Sequence, residues 1–498
     1  MPSSPLFSGN ADSLFSQHNV DNDTHEELEM RGPATTTPIA INKHDEAALV
    51  SRLDRRLLCF AMLGNLVKTM DNTNINSAFI SGMEQELDMH GVDFNWLTVL
   101  FMIGYLSMQI PSNMLLSRLR PSLYLPMMEI AWGVLTLGMA CVPSIHMAYI
   151  LRFFLGAFEA GFYPGIVFLV GTWYSRKELG KRNAWITMCG SLGGALTGLM
   201  QAGLLKWFDG TLGISGWRWM FVLDAALTFL LAIYGYKYLP DYPDNTLWLS
   251  QKERTLAVER LQREGHETKS GSLPTMALLR KVIANKFLYF FVPGWTLTHL
   301  AVGASHVLGI VAKKSGYDAI TANLFTSPDL IISMLAGITN GFLSDYLGSR
   351  LMCILPQLAI ATIAYSLLVI FVQPFGFLYF AFILMHASLA ATAPVIMTWA
   401  SEIIRENVEQ RAISIAIMNT SSSAMYTWAP LVLWPVTDAP FYRTGFRAGF
   451  VFVIASAVCF AIIGWLVRKD PSRKPKEDDD IQREDDIPLL MAQEERLS

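Results

Sequence analysis

The chain has 498 residues, of which 52% are hydrophobic and only 16% are charged, and its formal net charge is −4. A soluble protein of this length carries roughly a quarter charged residues, so the composition excludes an ordinary water-soluble protein. The small net charge also argues against a nucleic-acid-binding protein.

Apolar segments recur along the chain, and a helix of about 20 residues can cross a hydrocarbon core of about 30 Å. The sequence predicts twelve such spans: 57–80, 96–117, 123–143, 147–173, 183–205, 217–239, 287–312, 322–343, 350–372, 377–400, 411–436 and 446–467. The loop after span 1 is acidic, whereas the loops after spans 2 and 4 are basic. Because basic loops stay in the cytoplasm, we expect both termini there.

The chain divides into five predicted segments. Residues 1–46 read as a disordered cytoplasmic tail, and 469–498 as an acidic cytoplasmic tail. Residues 47–240 and 287–468 hold six spans each, and similar short segments, 216–221 and 445–450, open spans 6 and 12. The linker 241–286 carries a capping box, Ser250 and Glu253, which predicts a short amphipathic helix. Repeated halves are typical of secondary transporters, so we expect an all-α membrane protein of two pseudo-symmetric six-helix bundles.

Span 1 contains an unusual set of polar residues, namely Lys68, Asp71, Asn72, Asn74 and Asn76. Ionised groups at membrane depth are costly, so they usually face a cavity and serve function. Lys68 and Asp71 share a helix face, and Asp71 can neutralise the lysine or bind and release a proton. Asn72 and Asn76 can donate hydrogen bonds to a substrate. The alternative is a static ion pair that fixes span 1 to a neighbour.

Span 4 carries Arg152 and Glu159, two helical turns apart. An arginine can bind a carboxylate of a substrate or a side chain, and a carboxyl group in a low-dielectric cavity takes up a proton more readily. The alternative is that Arg152 only anchors a contact between helices. His299 in span 7 and His386 in span 10 are either core histidines or contacts for substrate or proton.

Reactive groups form no pattern typical of an enzyme. The five cysteines all fall within apolar spans and form no CxxC pair, and neither a metal cluster nor a nucleophile–base pair is evident. The sequence therefore predicts neither an enzyme, nor a metal site, nor a cofactor. We expect a proton gradient to supply the energy.

Several motifs carry a family resemblance. Residues 341–350 resemble the loop motif of the major facilitator superfamily, which implies that Asp345 and Arg350 bridge helix ends and gate the cytoplasmic side. The matching segment of the first half, which contains Arg118, lacks the aspartate, as in the fungal anion:cation symporter (allantoate permease) family. Residues 68–74 and 152–165 also match this family, and residues 409–412 and 428–440 are similar to its vitamin-transporting branch of pantothenate and biotin symporters. That branch usually has arginine where this chain has Asn72.

The resemblance implies proton-coupled uptake of a small organic anion, such as pantothenate, by alternating access. Asp71 and Glu159 would supply protonatable carboxyls, while Lys68 and Arg152 would hold the anion. We expect a functional monomer in the lipid bilayer of the plasma membrane. Leu489 and Leu490, in an acidic context, resemble a sorting signal for endosomal or vacuolar membranes. Two alternatives stay open: a transporter that exports or imports a fungal secondary metabolite or its precursor, and a non-transporting nutrient sensor.

Overall fold

The computed structural model describes residues 43–116, 119–243, 245–246, 248–263, 276–404 and 408–469. Most of the two predicted tails lies outside the described residues, and so do Arg118 and the Leu489–Leu490 pair. A helix, Lys43–Leu53, begins within the last residues of the predicted N-terminal tail.

Twelve helical spans follow one another through the described residues, one for each predicted span. Their helices are Cys59–Ala78 (span 1), Asp93–Leu116 (span 2), Pro121–Ala140 (span 3), Ile145–Glu159 with Phe162–Gly171 (span 4), Arg176–Phe208 (span 5), Gly216–Tyr238 (span 6), Leu288–Val302 with Leu308–Lys314 (span 7), Ala319–Leu347 (span 8), Arg350–Ile370 (span 9), Phe375–Ile403 (span 10), Val408–Val432 (span 11) and Arg443–Lys469 (span 12). Ten of these spans are long and apolar enough to cross a membrane by composition alone. The two exceptions, spans 1 and 11, are less apolar because polar residues interrupt their helices.

Helix pairing repeats between the two halves of the chain. Span 1 packs on span 5, span 2 on span 4 and span 3 on span 6, and in the second half span 7 packs on span 11, span 8 on span 10 and span 9 on span 12. The main contacts between the halves join span 2 to span 11 and span 5 to span 8. These two contacts are equivalent, because span 2 corresponds to span 8 and span 5 corresponds to span 11 when the two halves are exchanged. The fold is therefore the predicted pair of pseudo-symmetric six-helix bundles, whereas the bundle limits 47–240 and 287–468 stay a prediction.

Two glycines allow spans 2 and 4 to approach until their backbones touch. A Cβ atom added at Gly104 would lie 2.0 Å from the carbonyl oxygen of Phe153, and one added at Gly156 would lie 2.1 Å from that of Phe101. Larger residues at either position would force the helices apart. This close approach places the Phe101 ring against the next turn of span 4, where Arg152 lies.

Hydrogen bonds between the halves gather at one end of the molecule, which carries the acidic loop after span 1 and is named here the acidic-loop end. The Asn95 amide nitrogen donates to the carbonyl oxygens of Pro430 and Trp434, at 2.8 Å each, and its oxygen accepts from the Val436 N–H at 3.0 Å. An ion pair at 3.2 Å between Glu84 and Lys314 adds a second link. The two halves are thus closed against each other at this end.

Glu86, at the same end, is held by residues at the start of span 6. Its carboxylate accepts hydrogen bonds from Ser215 at 2.5 Å, from the Trp217 indole at 2.6 Å and from Arg218 at 2.8 Å. Partial burial raises the pKa of Glu86, but the three hydrogen bonds outweigh it and hold the pKa below its ordinary value. The cluster therefore stabilises the fold at neutral pH and loses this contribution only in acid, when Glu86 becomes protonated.

The opposite end carries the basic loops and is named here the basic-loop end. The linker helix, Gln251–Arg263, begins at the predicted capping box, in which the Ser250 N–H donates to Glu253 at 3.0 Å. Ion pairs of Glu253 with Arg52 and of Arg260 with Glu178 fix this helix to the first six spans. A second linker helix, Met276–Ile283, was not predicted from the sequence.

Replacing Asn95 with alanine tests the closure of the acidic-loop end. We expect a lower thermal unfolding midpoint, because the substitution leaves two carbonyl oxygens and one N–H unpaired at a cost of about 1–3 kcal/mol. The measurement is thermal unfolding of the purified protein in detergent. Ser107→Ala is the control, since the Ser107 hydroxyl bonds only within its own helix. Equal midpoints for the two variants would contradict the assignment.

Candidate functional site

A cavity of about 600 Å³, the central cavity, lies between the two halves. Both halves supply its wall, and the wall includes six of the residues that the sequence predicted for substrate or proton binding: Lys68, Asn72, Asn76, Arg152, His299 and His386. The other two predicted residues, Asp71 and Glu159, are fully buried behind the first-half wall. The volume suits a small organic molecule.

Lys68 forms an ion pair with Glu159 of span 4, while its electrostatic interaction with Asp71 is weaker. The Lys68 ammonium lies 3.8 Å from the Glu159 carboxylate, which also accepts a hydrogen bond from Asn72 at 2.9 Å. The sequence offered Asp71, three positions along the same helix, as the neutralising group. The Glu159 side chain of span 4 reaches Lys68 across the bundle, which helical spacing alone cannot reveal.

Arg152 is a buried cation, and some of its N–H groups find no acceptor in the part of the chain that the structure describes. Its side chain lies over the Phe101 ring at 4.7 Å, and the residue is only 2% exposed. Among the described residues, neither Nε nor Nη1 has a hydrogen-bond partner. Buried guanidinium N–H groups need acceptors, and carboxylates match their geometry best. Arg152 at the cavity wall is therefore a place where an organic anion can bind.

Two further carboxyl groups lie behind the same wall. Asp71 accepts a hydrogen bond from the Thr136 hydroxyl at 2.7 Å, and Asp224 accepts one from the Asn74 amide at 2.8 Å. Sequence reasoning missed Asp224, although it is the one acidic residue between 217 and 239, the predicted limits of span 6. The rule that singled out span 1, an ionisable residue within an apolar span, would have found it.

The second half presents a histidine-rich wall to the cavity. His386 Nδ1 lies 2.7 Å from the Asp329 carboxylate, so span 10 and span 8 are joined by a charged or strongly polar hydrogen bond. Asp329 was also missed in the sequence, where it lies within predicted span 8. The His299 ring packs against Trp295 at 5.5 Å and against Tyr426 at 5.9 Å, and no described carboxylate pairs with it.

The loop motif between spans 8 and 9 forms an ion-pair cluster at the basic-loop end. Arg350 lies 2.5 Å from Asp345 and 2.8 Å from Glu402 of span 10, and it also donates to the Ser344 hydroxyl. Because two carboxylates and one hydroxyl accept hydrogen bonds from Arg350, its guanidinium is held in one position. The cluster joins three helix ends, while a gating role stays a prediction.

Comparison with known proteins identifies the family. The family model described as Major Facilitator Superfamily matches residues 61–423 and 303–490. The chain belongs to the major facilitator superfamily. It is 30% identical to MFS transporter PfmaC of Pestalotiopsis fici over 84% of this chain and 80% of that protein. It is 26% identical to pantothenate transporter liz1 of Schizosaccharomyces pombe, over 89% and 87%, and 25% identical to the vitamin H transporter of Saccharomyces cerevisiae, over 82% and 70%.

Solved structures agree on the fold. A bacterial homologue of the lysosomal transporter Spinster, in an inward-facing conformation, superposes with a TM-score of 0.64 at 14% identity and covers 84% of this chain and 98% of its own. A D-xylose–proton symporter gives 0.62 at 15% identity, covering 82% and 96%. At these identities the likeness concerns the fold alone.

Family membership decides the broad function. This is a multi-pass membrane protein, a secondary transporter of a small organic substrate, and not an enzyme. The similarity to pantothenate and vitamin H transporters confirms the resemblance to the vitamin-transporting branch.

A double-mutant cycle on Lys68 and Glu159 tests the ion pair behind the cavity wall. Lys68→Met and Glu159→Gln should each destabilise the protein, because each leaves a buried group without its partner. The double variant should be more stable than the sum of the two effects predicts, by a coupling energy of about 0.5–3 kcal/mol. Thermal unfolding in nanodiscs at neutral pH gives all four midpoints, and additive effects would contradict a direct interaction.

Proposed function

We propose that this transporter takes up a small organic monocarboxylate together with protons, and that pantothenate is the first candidate substrate. The observation that carries the proposal is Arg152, a buried cation at the cavity wall whose Nε and Nη1 have no partner among the described residues. A bound carboxylate would supply the missing acceptors. Lys68 lies on the same wall, and its side chain is 13% exposed. It would add a second positive charge.

Charge balance connects anion binding to proton uptake. Without substrate, Glu159 lies beside Lys68 and within electrostatic reach of Arg152. An incoming carboxylate competes for these two cations, so the ionised form of Glu159 loses its compensation. A carboxyl in that position is stabilised by taking up a proton. One proton would therefore enter for each monoanion, with Asp71 as the second protonatable group.

The proposed cycle is alternating access of the bundles 47–240 and 287–468 around the central cavity. The acidic-loop end is the end closed by Asn95, and we assign it to the outside because the basic loops belong in the cytoplasm. Asp345 and Arg350, with Glu402, would fix the helix ends of the second half that gate the basic-loop end. We propose a functional monomer in the plasma membrane.

Asn72 and its neighbours would set the substrate. Relatives named for pantothenate and vitamin H support a vitamin-type acid. Here Asn72 donates a hydrogen bond to Glu159 and carries no charge, so it adds no cation to Arg152 and Lys68 at the wall. Asn76, His299 and His386 line the remaining surface and would contact the uncharged part of the substrate.

Uptake into proteoliposomes under an imposed pH gradient tests the proposal, first with radiolabelled pantothenate and then with biotin, tartrate and other organic acids. Arg152→Ala should lower uptake about 10- to 100-fold, because a charge-assisted bidentate contact is lost. Arg152→Lys, which keeps the charge, should lose less. Glu159→Gln should transport at a rate that no longer depends on pH.

Glu129→Gln is the matched control for Glu159→Gln, since Glu129 is equally buried but does not line the cavity. It should behave as the unmodified protein does. If Arg152→Ala and Glu159→Gln both transport normally, the assigned roles are wrong. If no organic anion in the series enters under either pH gradient, anion symport is wrong, and a screen of neutral and cationic metabolites follows.

A further inference from the structure

Buried acidic groups outnumber buried basic groups in the first half of the molecule. Four carboxyls are at most 1% exposed, namely Asp71, Glu129, Glu159 and Asp224. Two cations of the described residues interact with this set, namely Arg152, which is buried, and Lys68, which lines the cavity. An uncompensated ionised carboxyl in a low-dielectric interior is so costly that it takes up a proton instead. Electroneutrality of this set therefore requires two protons on the four carboxyls.

The contacts show which carboxyls receive the two cations. Lys68 lies 3.8 Å from Glu159, and both Lys68 and Arg152 are within electrostatic reach of Asp71. The charged neighbours of Asp224 are Asp71 and Glu159, both of them acidic. Asp71 and Glu159 thus lie beside the two cations and beside each other, whereas Asp224 and Glu129 have no described cation next to them. An ionised form of Asp224 or Glu129 is therefore uncompensated, and these two carboxyls hold protons.

Asp224 and Glu129 differ in one respect that decides whether the proton can leave. Asp224 accepts a hydrogen bond from the Asn74 amide at 2.8 Å, and such a donor stabilises the ionised form. Asn74 lies three positions after Asp71 on span 1, so the two side chains share a face of that helix. The Asp224 carboxyl, which Asn74 binds, therefore lies on the same side of span 1 as Asp71. Neither oxygen of Glu129 has a partner among the described residues, so its ionised form has no stabilising contact.

We propose that Asp224 is an exchangeable proton-binding site of this transporter, whereas Glu129 keeps its proton throughout. The proposal rests on the proposed proton-coupled function and adds a carboxyl outside the cavity wall to its proton-carrying set. In the conformation described here Asp224 holds a proton. When substrate and protons rearrange the charges on Asp71 and Glu159, the Asn74 contact allows Asp224 to release it.

Among the described residues, the helices packed around Asp224 place no charged side chain beside it other than Asp71 and Glu159. Span 1 contributes Asp71, and span 4 contributes Glu159. Span 3 packs against span 6, and its acidic residue Glu129 lies seven positions before Thr136, about 10 Å along the helix axis. Span 5 also packs against span 6, and residues 183–205 of that span contain no charged side chain.

Infrared spectroscopy of the purified protein in lipid tests the proposal without any substrate, since protonated and ionised carboxyl groups absorb separately. We expect two signals from protonated acids at neutral pH. Labelling with ¹³C-aspartate should shift one of them, and Asp224→Asn should remove it. Glu129→Gln should remove the other. Raising the pH should abolish the aspartate signal while the glutamate signal persists.

Transport supplies the second measurement, with pantothenate as the probe. Asp224→Asn keeps the shape of a permanently protonated acid, so exchange of labelled for unlabelled pantothenate should continue. Accumulation driven by a pH gradient should fall about tenfold, which corresponds to an ordinary coupling free energy between two sites. Glu129→Gln should do both normally.

The outcomes separate this proposal from the proposed function. The absence of a protonated-aspartate signal in the unmodified protein, or a signal that does not respond to pH, overturns the role of Asp224. Because ¹³C-aspartate labelling is done on the unmodified chain, a variant that fails to fold leaves the test intact. If Glu159→Gln abolishes pH-driven uptake while Asp224→Asn behaves as Glu129→Gln does, proton symport stands and only the role of Asp224 is wrong.

Discussion

Compensation of charge inside the membrane is the constraint on which the rest of this structure depends. Among the described residues of the first half, four buried carboxyls lie with two cations, the buried Arg152 and the cavity-lining Lys68, and hydrogen bonds of this set join spans 1, 3, 4 and 6. Such groups are costly at membrane depth unless they are paired or protonated. The helices must therefore meet where the partners meet, and a proton or an anion that enters changes the balance for all of them.

The two halves use this constraint differently, although their helices pair in the same pattern. The first half places cations at the cavity wall and carboxyls behind it, whereas the described residues of the second half offer histidines and one buried aspartate, Asp329. A negatively charged group would thus be attracted to one wall. The other wall would contact the uncharged part of the substrate through imidazole and phenol groups, which hydrogen-bond in either direction. An asymmetric cavity within a symmetric fold suits a molecule with one charged end.

The fold could be predicted from the sequence because membrane helices are specified by the length and apolar content of continuous segments. All twelve spans appear, and the helix of span 4 breaks directly after Glu159, one of its two charged residues. The site was predicted in part. Ionisable residues in apolar spans identified Lys68 and Arg152, but which groups meet depends on packing between distant helices. Helical spacing suggested Lys68 with Asp71, while in the folded chain Lys68 pairs with Glu159, which lies on span 4. Asp224 and Asp329 were missed although the same rule applies to them; each is the one acidic residue of its predicted span, so the sequence shows no partner beside it.

Coupling between charge and transport leads to a stoichiometry that can be measured directly. Proteoliposomes containing the unmodified protein and a trapped pH indicator report proton entry, while labelled substrate reports anion entry, with the membrane potential clamped at several values. If charge compensation couples the two, one proton enters with each monoanion and the rate does not depend on voltage. Anion uptake that follows the voltage without any accompanying proton would contradict charge compensation as the basis of transport.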